Sequence, residues 1–124
     1  MRATLDACGA DVDLSACTHL LPVARGILST ITVTLREPLT DPAALYRTHY
    51  AVEPFVDVSS APPRLREVVR TNMARIFVTP VSHARQPMLQ VFVAIDNLVK
   101  GAAGQAIQNA NLICDFDEAA GLTP

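Results

Sequence analysis

Apolar and polar residues alternate along 11–17, where Val12, Leu14 and Ala16 interleave with Asp11, Asp13 and Ser15, and this period of two predicts a half-buried strand. A clearer strand follows over 27–35. Ile27, Ser29, Ile31, Val33 and Leu35 share one face while Thr30, Thr32 and Thr34 share the other, and β-branched side chains favour a pleated surface. Asp41-Pro42 then reads as an N-cap with proline in the first helical position, which predicts a helix to about Tyr50. A short strand is expected over 55–58, and a helical turn near 65–69 after the Pro62-Pro63 loop. Two further strands, 72–78 and 88–95, flank the polar connection 80–87, which suits an antiparallel hairpin. From Leu98 to about Ile113 the spacing turns helical: Leu98, Ala102, Ala106 and Ala110 form one row, with Val99, Ala103 and Ile107 beside it. The order predicts one α+β domain over 1–124, a mixed, largely antiparallel sheet with helices on one face.

Composition narrows the function. The chain has 124 residues, 50% of them hydrophobic, enough for one core without metals or disulfides. A net charge of -2 with arginines scattered along both halves presents no basic face for nucleic acid. Apolar runs are of strand length, which predicts no membrane span, and no long apolar stretch follows the start as a signal peptide requires, so a cytoplasmic location is expected. Cys8, Cys17 and Cys114 are odd in number and widely spaced, which fits reduced thiols and gives no metal-ligand pairing.

The stretch 94–109 is the most informative chemically. Asp96 and Asn97 are both N-cap candidates at a strand-to-helix junction, yet Gly101 and Gly104 each cost about 1 kcal/mol against alanine inside a helix. Glycines among alanines permit another backbone, a second subunit or a flat ligand to approach closely. Lys100 in a first turn opposes the helix dipole, a placement that makes sense beside a phosphate or carboxylate; otherwise it reaches solvent.

The run Ile95-Asp96-Asn97-Leu98-Val99-Lys100-Gly101-Ala102-Ala103-Gly104-Gln105-Ala106 resembles the signature near the end of N-acetyl-gamma-glutamyl-phosphate reductases. His19-Leu20-Leu21-Pro22-Val23-Ala24-Arg25-Gly26-Ile27, Leu45-Tyr46, Glu53-Pro54-Phe55-Val56, Asn111-Leu112 and Gly121-Leu122 extend the resemblance over roughly residues 10 to 122. It implies a sheet-rich domain similar to the C-terminal domain of glyceraldehyde-3-phosphate dehydrogenase. It also implies the chemistry of an oxidoreductase that uses NADPH, a cysteine nucleophile and a histidine to reduce N-acetyl-gamma-glutamyl phosphate to the semialdehyde in arginine biosynthesis. The family's Pro-Gly-Cys and His-Arg-His motifs do not occur in this sequence, nor does a Gly-x-Gly-x-x-Gly run after a strand. The chain is thus expected to be the substrate-binding and dimerisation domain without the Rossmann NADP-binding domain, inactive alone, with those motifs upstream of Met1.

No catalytic residue is assigned within the chain, and no metal. Cys17 stands where relatives carry threonine and reads as a packed thiol; Cys8 and Cys114 have no neighbouring base. The resemblance makes Arg25 a substrate contact, through its bidentate fork on a carboxylate or phosphate, or else a partner in a structural ion pair. Asn72 is either a second substrate contact or a strand cap. Asn97 falls where relatives bring a polar group near the nicotinamide, and Lys100 and Gly101 join it as candidate cofactor contacts, with capping as the alternative for Asn97. Relatives tend to have glycine where Arg70 stands, which leaves that loop's geometry open. His19, His49 and His83 read as structural or surface residues.

Self-association, most simply as a dimer, is expected from apolar surface that would face another domain or subunit. The contrasting reading is a non-catalytic assembly or binding module that keeps the fold. A relative acting on aspartyl phosphate fits the Lys100–Gln105 run less well.

Overall fold

In a computed structural model, residues 22–124 are described. The strand predicted over 11–17, together with Cys8, Cys17 and His19, lies outside them. The elements run β1 (Ile27–Thr34), α1 (Pro42–His49), β2 (Val56–Val58), a 3-10 turn (Leu65–Glu67), β3 (Ala74–Pro80), β4 (Met88–Ile95), a π-turn (Val99–Ala103) and α2 (Gly104–Ile113).

The four strands form one sheet in the order β1-β4-β3-β2. β3 and β4 are the predicted hairpin, antiparallel with Phe77 opposite Phe92, and Val81 N–H closes its mouth on Met88 O at 2.9 Å. β1 runs antiparallel to β4 from Ile27↔Ile95 to Thr34↔Met88. β2 pairs parallel with β3, which makes the sheet mixed; a parallel pair needs a crossover, here the segment that carries the 3-10 turn. Arg75 ties that crossover down, with Nε 2.7 Å from Asp57 on β2 and Nη1 3.0 Å from Glu67 on the turn.

α1 starts as its sequence requires: Asp41 Oδ1 accepts the Ala44 N–H at 2.8 Å and Pro42 opens the helix. It packs on β2 and β3, where alternation sends Ile76, Val78, Leu89 and Val91 to one face, joined by Leu35, Tyr46, Tyr50, Val56 and Val93. This is the apolar core. Helix α1 packs on β2 and β3, and among the described residues Ile27, Leu28, Ile31 and Val33 of β1 are 38–46% exposed. Among the described residues no helix is long and apolar enough to cross a membrane.

Candidate functional site

At the end of β4 the chain turns on Asp96, whose side chain is fully buried. Its Oδ1 accepts the N–H groups of Leu98 at 2.7 Å and Val99 at 2.8 Å, and its Oδ2 accepts Arg70 N–H at 2.6 Å. Arg25 Nε stands 2.6 Å from the same oxygen; the N–H is out of line, so this contact is an ion pair. Burial by itself raises the Asp96 carboxyl pKa. The N–H groups of Arg70 and Val99, the Arg25 guanidinium and the Leu98 N–H outweigh burial and lower it to about 2.

The segment after Asp96 corrects the expectation of one continuous helix over 98–113. Gly101 N–H bonds Asp96 O at 2.8 Å, Ala103 N–H bonds Leu98 O at 2.9 Å, and Gly104 N–H bonds Val99 O. Each bond reaches five residues back, so Val99–Ala103 is a π-turn and the α-helix begins at Gly104. Both glycines have a local cause. A Cβ on Gly101 would lie 3.2 Å from Asp96 O, and one on Gly104 would overlap Asn72 Oδ1 and approach Val99 Cγ1 to 2.7 Å. The close approach at Gly104 is made by this chain's own loop.

Helix α2 turns a polar row inward. Gly104, Gln108 and Asn111 are its buried residues. Gln108 Oε1 accepts from Asn72 Nδ2 at 2.9 Å and from Lys100 Nζ at 2.8 Å, while Gln108 Nε2 donates to Glu118 Oε1 at 2.5 Å. Asn111 Nδ2 donates to the carbonyls of Glu118 and Ala120, at 3.1 and 2.9 Å, and Asn72 N–H bonds Thr123 O at 2.8 Å. These bonds fasten the C-terminal segment beneath the helix. Lys100 Nζ also lies 5.6 Å from the centre of the buried Phe55 ring, and burial lowers its pKa against the raising influence of Glu118 and Glu53.

The structure gathers Arg25, Asn97, Lys100 and Gly101 around this junction. Asn97 does not cap the helix: its Oδ1 accepts Gly26 N–H at 2.7 Å and anchors the start of β1, while Asp96 holds the N–H groups of the turn. Asn72 sits behind them, fully buried, and reaches Lys100 only through Gln108. Arg70 adopts a left-handed conformation, at φ 69°, with its N–H on Asp96. His49 and His83 are exposed, as is the Cys114 thiol. Sequence reasoning missed Asp96 as the hub, having read it only as a cap, and it missed Gln108, Asn111 and Glu118. A signal existed: small and amide residues at 104, 108 and 111 have the i, i+4, i+7 spacing of one helix face. Among the described residues no cluster of three or more His, Cys, Asp or Glu is placed to hold a metal.

The sequence profile described as "Semialdehyde dehydrogenase, dimerisation domain" matches residues 1–97. The chain is 48% identical over 108 residues to an N-acetyl-gamma-glutamyl-phosphate reductase of Dehalococcoides mccartyi, covering 86% of this chain and 31% of that protein. It is 45% identical over 121 residues to the protein of the same name from Pseudomonas syringae, covering 94% and 34%. The chain therefore spans about a third of the length of these relatives. A crystal structure of aspartate semialdehyde dehydrogenase II from Vibrio cholerae superposes with a TM-score of 0.61 at 21% identity, over 77% of this chain and 29% of that one, and so shares the fold.

Proposed function

Because the chain belongs to the semialdehyde dehydrogenase dimerisation-domain family, we propose that it is the substrate-facing, subunit-joining part of an NADPH-dependent N-acetyl-gamma-glutamyl-phosphate reductase of arginine biosynthesis. The observation that carries this reading is the 48% identity over 108 residues to a reductase of that name. In this reading the nucleophilic cysteine and the dinucleotide-binding domain come from a segment outside 1–124.

The geometry supports a defined share of the work. Arg25 is anchored through Nε on Asp96 but stays 29% exposed, so its guanidinium can offer a charged fork to the carboxylate or phosphate of the substrate. Lys100, held by Gln108, supplies a second cation. Bound NADPH would supply the hydride; Asn97, Lys100 and Gly101 fit one wall of such a site. They do not fit a dinucleotide cradle, because the Asn97 carbonyl is committed to Gly26 and the Gly101 backbone to the π-turn. Exposed apolar side chains on and beside α2 support contact with the rest of such an enzyme or with a second copy: Ile107, Leu112 and Ile113 on the helix and Leu98 before the π-turn are 43–82% exposed, and Phe116 beyond it 65%. Among the described residues, the exposed apolar side chains of β1 support subunit association.

The test is NADPH-dependent reduction of N-acetyl-gamma-glutamyl phosphate by the purified chain, alone and mixed with the cysteine-bearing N-terminal part of a close relative. Activity only in the mixture is expected. Activity of the chain alone, or an inert mixture in which the two parts demonstrably associate, overturns the reading.

A further inference from the structure

Lys100 is the only lysine in the chain; the other nine cations are arginines. A lysine side chain has four rotatable bonds and a strongly hydrated head, and it is a poor directional donor unless something holds it. Here the holder is identifiable. Gln108 is nearly buried, and its amide has two ends of opposite hydrogen-bonding character. The Glu118 carboxylate only accepts, so it must take the Nε2 end, and this turns Oε1 toward two donors, Asn72 Nδ2 and Lys100 Nζ. Asn72 is fully buried and cannot rotate away, and the Asn111 bonds to Glu118 O and Ala120 O fix the backbone that carries the carboxylate.

We infer that Gln108 is a positioning residue for Lys100, and that Glu118 of the C-terminal segment sets the orientation of its amide. The consequence for chemistry rests on the reading of Lys100 as an anion contact: the segment 115–124 then shapes the site without touching a ligand. A substrate carboxylate or phosphate meets an ammonium already aimed, which lowers the cost of ordering it on binding.

A single lysine makes the test clean. The rate at which acetic anhydride acylates Lys100 in the full chain, read by peptide mass spectrometry, reports how firmly the amine is held. No substrate or phosphate is present, so the result is independent of whether Lys100 binds an anion. Glu118→Ala is expected to raise the rate about three- to tenfold, the net scale of one ordinary hydrogen bond. Glu118→Gln keeps an acceptor for Nε2 but removes the charge that raises the Lys100 pKa, so its rate is expected to fall between the native rate and that of Glu118→Ala. Circular dichroism confirms that both variants fold. An unchanged rate in Glu118→Ala overturns the inference, and so does a Glu118→Gln rate equal to that of Glu118→Ala, which would assign the effect to charge rather than orientation.

Discussion

Two regions of the domain bury side chains by opposite means. Beneath α1 the core is Ile76, Val78, Leu89 and Val91, all apolar, held by area removed from water. At the junction of β4 with the π-turn and behind α2 the buried side chains are Asp96, Asn72, Gln108 and Asn111, held by directional bonds, with Asn72 Oδ1 left without a partner. The first kind of region tolerates substitutions that keep volume, because adaptable shapes fill the same space. The second is intolerant in a particular way: removing one partner strands the others, and a buried polar group left without a bond costs more than the bond contributed. One region therefore supplies stability, and the other fixes which side chains face the proposed site.

Breaking the polar region at its hub gives the largest expected effect. Asp96→Ala removes the acceptor of three backbone N–H groups and the partner of Arg25, and should cost about 3–5 kcal/mol in urea unfolding. The same carboxylate predicts an acid limb. Its folded pKa, about 2, lies below the ordinary 3.8, so its contribution is complete above pH 3.8 and is lost as the pH falls toward 2. Urea midpoints across that window should drop more steeply for the native chain than for Asp96→Ala; parallel slopes would remove Asp96 from its central place.

The apolar region answers on a similar scale but without pH dependence. Leu89, 4% exposed, lies in the cluster under α1, and Leu89→Ala should cost about 3 kcal/mol from lost burial and the cavity left behind. Leu89→Met should cost much less, under about 1.5 kcal/mol, since it keeps the volume. If Leu89→Met is as damaging as Leu89→Ala, the core is specified by shape more tightly than this comparison holds.

The two regions were also unequally legible. β1, α1 and the β3–β4 hairpin followed from alternation, from Asp41-Pro42 and from the polar connection, because each signal is local and each residue's role there is its generic one. The polar region is built from generic exceptions. The apolar spacing of 98, 102, 106 and 110 suggests an inward row, yet Ala102, Ala106 and Ala110 lie exposed while Gln108 and Asn111 are buried. A hydropathy pattern assigns amides to water; only the donors and acceptors brought by Asn72, Glu118 and Ala120, up to 36 residues from Gln108, reverse that choice. The π-turn was hidden for a related reason. Five-back bonds leave no periodicity of their own, and Gly101 and Gly104 signalled a close approach without saying to what. Lys100 stood out by its place in a first turn, and Arg25 and Asn97 came with the resemblance; that Arg25 pairs with the buried Asp96, Asn97 anchors Gly26 and Gln108 holds Lys100 was visible only in three dimensions.

A smaller effect distinguishes the inner face of α2 from its outer one. Gly104→Ala would ordinarily stabilise a helix by about 1 kcal/mol. Here the methyl meets Asn72 Oδ1 and Val99, both held by packing, so a loss of about 1–3 kcal/mol is expected. Thermal melts decide it: a rise in Tm would mean that Asn72 yields and the network is softer than its bonds suggest.

The smallest effect has the opposite sign. Arg70 adopts φ 69°, a left-handed conformation that costs a side-chain-bearing residue roughly 1–2 kcal/mol and glycine little. What the loop needs from this position is its backbone, since Arg70 N–H is the donor to Asp96 Oδ2, and glycine keeps that N–H. Its side chain is exposed, so little packing is lost. Against the relief stands the extra freedom glycine gives the unfolded chain, worth about 0.5–1 kcal/mol. The balance favours glycine, and Arg70→Gly should raise stability by about 0.5–1 kcal/mol, a Tm gain of a few degrees for a domain of this size. A fall in Tm would mean that the arginine side chain contributes contacts strong enough to offset its strained backbone, and would move Arg70 from the frame of the Asp96 junction into its working surface.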